Sequence, residues 1–161
     1  MKKIGLLFIF IAFTFLVKAQ TDSRIFYSQL MVVISDLETN FEYLKGAEIS
    51  KQNGVSFYEA IRFLEGTKDN LIVIDSASSQ YQAIIVDSTS REGSQLILDS
   101  WMDKLNSALS GMFSPATALS SSSDANTSGY QFSSEKITVL LLRHKLENGA
   151  YWINLVIKPR R

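Results

Sequence analysis

No cysteine occurs among the 161 residues. That excludes a thiol nucleophile, a thiolate zinc site, an iron–sulfur cluster and any disulfide staple. A single histidine, His144, leaves a His-based metal site without a second imidazole. Glycine is sparse and scattered, with no two residues close enough to build a phosphate-cradling loop. An excess of base is also missing, since 16 Lys and Arg balance 16 Asp and Glu. A strongly basic nucleic-acid binder is thereby excluded. The longest apolar run covers residues 4–17, short of the roughly 20 residues of a membrane-spanning helix.

What is present begins with an export pattern. Lys2 and Lys3 make a short basic start, 4–17 are apolar apart from Gly5 and Thr14, and Val17-Lys18-Ala19 offers small or aliphatic groups to a signal peptidase. The Ala19-Gln20 junction behind a Phe/Ile-rich stretch resembles export signals of Bacteroidota. The resemblance implies a periplasmic or extracellular location in a Gram-negative cell. Cleavage there removes Lys2, Lys3 and Lys18, so 13 basic residues face 16 acidic ones, a formal charge of −3. The expected organisation is a signal peptide over 1–19 and one α+β domain over 20–161, with no stable membrane insertion after cleavage. A chain of that length buries roughly 70% of its unfolded surface, enough for a core without staples.

Apolar residues at Phe26, Leu30, Val33, Leu37, Phe41 and Leu44 predict a helix over 23–45, closed by Lys45-Gly46. Ser56 and Glu59 have capping-box spacing and predict a small helix over 57–65. The period then changes to that of strands, and 71–74 with 81–86 reads as a hairpin. Ile97, Trp101, Leu105, Ala108 and Met112 mark a second long helix over 92–111. The Ser-rich stretch over 114–134 reads as a mobile loop.

Asn148-Gly149 is a two-residue hairpin signal. It places Leu146 opposite Tyr151 and His144 opposite Ile153. One face then collects Leu140, Leu142, His144, Leu146, Tyr151, Ile153, Leu155 and Ile157 as core. The other collects Val139, Leu141, Arg143, Lys145, Trp152, Asn154, Val156 and Lys158, joined by Leu71, Val73, Ile84 and Val86 from the first hairpin. The expected fold is a two-layer α+β sandwich: a four-stranded antiparallel sheet with two long helices on one face. Its αββαββ order repeats a helix-plus-hairpin unit, a permuted ferredoxin-like arrangement.

Candidate catalytic groups are few. His144 reads as a core histidine. The pairs Glu38/Glu42 and Asp99/Asp103 have the i,i+4 spacing that can bind a hard cation or divide acid and base roles, yet both fall off the apolar stripes. Ser133-x-x-Lys136 has the spacing of penicillin-recognising enzymes without their companion motifs. Asp75-Ser76-Ala77 and Asp87-Ser88-Thr89 resemble the short acceptor sequence of Bacteroidota O-glycosylation, which implies sugar on Ser76 or Ser88.

Half of the second sheet face is apolar, more than a solvated face carries. The candidate covers are the small helix, a partner protein or second copy, and an apolar ligand. Trp152, Val156, Lys145, Arg143, Leu141 and Val139 form the expected partner-binding set, in which Trp152 beside Lys145 and Arg143 has the aromatic-plus-cation make-up of an interface hot spot or of a site for anionic sugars. The sequence therefore reads as an exported, non-catalytic binding protein that engages a protein partner or itself, of inhibitor, immunity, chaperone or envelope-subunit type. No cofactor, metal or nucleic acid is expected. The alternative is a carrier or sensor of a small apolar or anionic ligand.

Overall fold

A computed structural model describes residues 24–119 and 126–160. The expected signal over 1–19 and residues 120–125 of the Ser-rich stretch lie outside the described residues. Helix α1 occupies 24–36 of them, and Phe26, Leu30, Val33 and Leu37 are buried as the spacing predicts. It stops well short of residue 45. The Asp36 carboxylate accepts hydrogen bonds from the Leu44 N–H at 2.9 Å and from the Thr39 hydroxyl, a local alternative to another helical turn. A 3-10 turn at Leu37–Thr39 follows, and Asn40 and Phe41 take φ of 57° and 61°. Phe41 and Leu44 still reach the core, through chain reversal instead of helical periodicity.

Eight strands form one sheet: β1 (Lys45–Gln52), β2 (Val55–Ala60), β3 (Asp69–Ile74), β4 (Ser79–Thr89), β5 (Thr117–Leu119), β6 (Thr127–Ser133), β7 (Ile137–Lys145) and β8 (Tyr151–Pro159). Helix α2 (Arg91–Leu109) follows β4 and is capped by the Ser90 hydroxyl, which accepts the Gly93 N–H at 3.1 Å. The order across the sheet is β1-β2-β3-β4-β8-β7-β6-β5, with every neighbouring pair antiparallel. The expected four-stranded, permuted ferredoxin-like sheet is therefore corrected to an eight-stranded one, within an α+β architecture. Each helix leads into a four-stranded meander, and the two meanders join through β4 and β8.

Four strands escaped the periodicity argument. Residues 57–60, the start of the expected 57–65 helix, lie in β2. Asn53 and Gly54 both take positive φ, 51° and 80°, and pair Gln52 with Val55. That is the two-residue turn that twists with the strands it joins, and it overrides the capping-box spacing of Ser56 and Glu59. Within the stretch read as a mobile loop, Thr117–Leu119 and Thr127–Ser133 are strands. Phe132 there is buried in the core. Gly129 permits this pairing, because a Cβ at that position would lie 2.0 Å from the Leu141 carbonyl oxygen.

Phe26, Leu30 and Val33 of α1 and Leu98, Trp101, Leu105, Ala108 and Leu109 of α2 share one buried cluster with the sheet. Ile72, Tyr81, Ala83, Val139, Leu141, Ile153, Leu155 and Ile157 are its floor. Both helices thus lie on one side. Lys104 of α2 binds the layers together. Its ammonium stands 4.0 Å from the Phe26 ring centre and 5.0 Å from that of Trp101, and donates to the Glu65 carbonyl at 3.2 Å. Inside the core, Tyr81 places its hydroxyl 3.0 Å from the Arg62 carbonyl oxygen and against Asn70 Oδ1. Burial pushes the Tyr81 pKa well above the usual phenol range.

The last hairpin departs from its expected register by one residue. Leu146 donates to the Ala150 carbonyl, Gly149 donates back to Leu146, and only Gly149 of the turn takes positive φ. The loop is therefore three residues long, Glu147-Asn148-Gly149, and pairs Lys145 with Tyr151 and His144 with Trp152. This is the type I turn closed by a left-handed glycine, the next commonest hairpin after the two-residue form. A one-residue slip turns every side chain of one strand to the opposite face. The expected faces of β8 hold, and those of β7 are exchanged.

Candidate binding face

The side of the sheet away from the helices is built row by row from the register. One row sets Phe57, Val73 and Gln80 on β2, β3 and β4 beside Lys158 and Thr138 on β8 and β7. The next runs Leu71, Gln82, Val156, Leu140 and Gln131. A third runs Asp69, Ile84, Asn154, Leu142 and Gly129. A last short row holds Trp152, His144 and Thr127. Val73 and Val156 are buried yet stand outside the helix-side cluster. Phe57, Leu71, Ile84, Leu140, Leu142 and Trp152 are half-buried.

Of the six residues expected to bind a partner, only Trp152 and Val156 lie on the open face. Val139 and Leu141 are fully buried under the helices. Arg143 also faces that side: Nη1 donates to Gln95 Oε1 of α2 at 2.7 Å, Nε to Ser128 Oγ at 3.2 Å, and the guanidinium stands 5.5 Å from the Tyr151 ring centre. Lys145 pairs with Tyr151 on the same side. The Trp152–Lys145–Arg143 hot spot is therefore not assembled. In its place stand Leu140, Leu142 and His144, which the two-residue turn had assigned to the core. Val86 likewise crosses to the helix side through a bulge between Ile84 and Val86.

His144 is a surface residue on this face. Its ring lies 4.6 Å from that of Trp152 at 31°. Nε2 is 3.2 Å from Asn154 Oδ1 and Nδ1 is 3.1 Å from Thr127 Oγ1. Nε2–H donates to the amide oxygen, and the Thr127 hydroxyl donates to Nδ1 when the ring is neutral. Asn154 and Thr127 thus each hold one nitrogen of the imidazole.

The other candidate sites do not converge. Glu38 pairs with Lys136 at 3.4 Å and Glu42 with Lys45 at 2.7 Å, both beyond the end of α1. Asp99 accepts from Gln95 Nε2 at 2.8 Å on the exposed side of α2, and Asp103 is exposed. Ser133 Oγ accepts from Gln131 Nε2 at 2.9 Å, while the Lys136 ammonium turns to Glu38. Ser76 and Ser88 are exposed, at the β3–β4 turn and the end of β4. Among the described residues no cluster of metal-ligating side chains occurs, and no helix is long and apolar enough to cross a membrane.

A cavity of about 580 Å³ lies over one end of the open face, lined by Gln80, Gln131, Thr138, Leu140, Lys158 and Arg160 among others. Its size falls within the range of small-molecule sites. Comparison with known proteins finds no family model, no curated protein and no solved structure that matches the chain.

Proposed function

We propose that the protein is an exported, non-catalytic binding protein that engages another protein surface, a partner's or that of a second copy, through the open face of its sheet. One observation carries this reading: Phe57, Leu71, Ile84, Val156, Leu140, Leu142 and Trp152 face away from both helices. A solvated antiparallel face alternates toward polar residues, whereas here these apolar side chains stand among Gln80, Gln82, Asn154 and Lys158, and apolar area on an open sheet face marks a surface that something covers. The export part of the reading rests on the apolar run and Ala19-Gln20 junction at the start of the chain. Inhibitor, immunity, chaperone and envelope-subunit roles all use such a surface. The cavity beside Lys158 favours a second reading, carriage of a small anionic ligand.

The test is Leu142→Glu, which sets a charge in the middle of the face without touching the helix-side core. Association, read by light scattering for self-assembly and by cross-linked capture from envelope extract for a partner, should fall at least tenfold. The melting curve should stay close to that of the parent protein.

A further inference from the structure

We infer that the cavity at the polar end of the open face is a binding site for an acidic sugar, a hydroxylated carboxylate of the uronate type. Three polar side chains stand side by side there: Gln80 on β4, Lys158 on β8 and Thr138 on β7. Hydrogen bonds and ion pairs occupy much of the surrounding polar surface. Yet among the described residues none is made by the Lys158 ammonium, the Gln80 amide or the Thr138 hydroxyl. Arg160, on the same cavity, spends one Nη1 bond on the Ser134 carbonyl at 2.9 Å and keeps its remaining donors. Two cations therefore converge on about 580 Å³ of concave space. The lining also holds one carboxylate, Asp75, whose Oδ1 accepts the N–H groups of Ala77 and Ser78 at 2.7 Å each, so the two cations outnumber it.

The chemistry of the lining selects the ligand. Lys158 and Arg160 favour a carboxylate by charge-assisted hydrogen bonds. Gln80, Gln131 and Thr138 each offer a donor and an acceptor, the pattern that matches hydroxyl groups and does nothing for an aliphatic chain. Leu140 supplies a small apolar floor, with Val156 next to it in the same row, suited to the C–H face of a sugar ring. A plain fatty acid would leave the amides and the Thr138 hydroxyl desolvated and unpaired, which weakens its binding. This site stands on its own lining and does not require a protein partner on the apolar rows.

Titration of the isolated protein with glucuronate, galacturonate and N-acetylneuraminate, followed by amide NMR shifts and calorimetry, tests it. Binding of at least one acid is expected, with shifts at Gln80, Gln131, Thr138 and Lys158. Lys158→Met should weaken that binding at least tenfold and Lys158→Arg should restore most of it. Glucose and hexanoate serve as the neutral-sugar and plain-carboxylate arms, and each should bind at least tenfold more weakly. The inference is overturned if none of the three acids binds, if hexanoate or glucose binds as well as they do, or if Lys158→Met leaves their affinity unchanged. Leu142→Glu lies outside the cavity lining, so loss of protein association in that variant with acid binding intact separates the two readings.

Discussion

His144 and Trp152 face each other across β7 and β8 with ring centres 4.6 Å apart. That pairing fixes which residues of β7 meet the helices. Leu141 points into the core and is fully buried, while Leu142, its neighbour in sequence, is half-buried on the open face. Leu141→Ala should cost about 3–5 kcal/mol, as a large-to-small core change does. Leu142→Ala should cost about 1 kcal/mol. Chemical denaturation of the two variants checks the register directly, since a two-residue turn would reverse their order.

Alkaline pH should report on Tyr81. Burial raises its pKa above the value of about 10 expected when unfolded, so the fold holds the neutral phenol. Its contribution to stability is fully present below pH ~10 and declines as pH rises beyond that, because the unfolded chain ionises first. Tyr81→Phe should cost about 1–2 kcal/mol near neutrality by stripping Asn70 of a partner. The gap between parent and variant should then narrow between pH 10 and 12, as measured by urea midpoints. Parallel curves through that range would contradict the assignment.

Gly129→Ala should separate β6 from β7, because the added methyl meets backbone at Leu141 and Leu142 and no side chain can move aside. A loss of roughly 3 kcal/mol is expected, the upper end of overpacking costs, with hydrogen exchange rising first at Thr127–Ser133.

Much of the helical layer was legible in the sequence. The spacings of Phe26, Leu30 and Val33, and of Trp101, Leu105 and Ala108, are set by the helix itself and survive in the buried cluster. The sheet was harder because its decisive features are turns. Val139-Leu140-Leu141-Leu142 is continuously apolar and fits either face, so only the loop length decides its phase. Asn148-Gly149 suggested two residues and uses three. Asn53-Gly54 does form the two-residue turn, but the turn-like composition of 50–54 reads as a link between helices because Ser56 and Glu59 have capping-box spacing. Residues 127–133 are rich in Ser and Thr by composition, yet Tyr130 and Phe132 point to the helix side and pair across to Leu141 and Val139. The acidic-sugar site was invisible for the same reason: Gln80, Lys158 and Thr138 are far apart in sequence and become neighbours only through the β4–β8–β7 order.

If the open face is a protein-binding surface, Leu142→Glu should abolish association while sparing the fold. Parent and variant are purified, melted, and compared by light scattering and by quantitative cross-linked capture from envelope extract. Closely similar melting curves and at least a tenfold loss of the associated species in the variant are expected. Equal association by both proteins, a parent that neither self-associates nor captures anything the variant loses, or a variant that unfolds as a core substitution would, contradicts it.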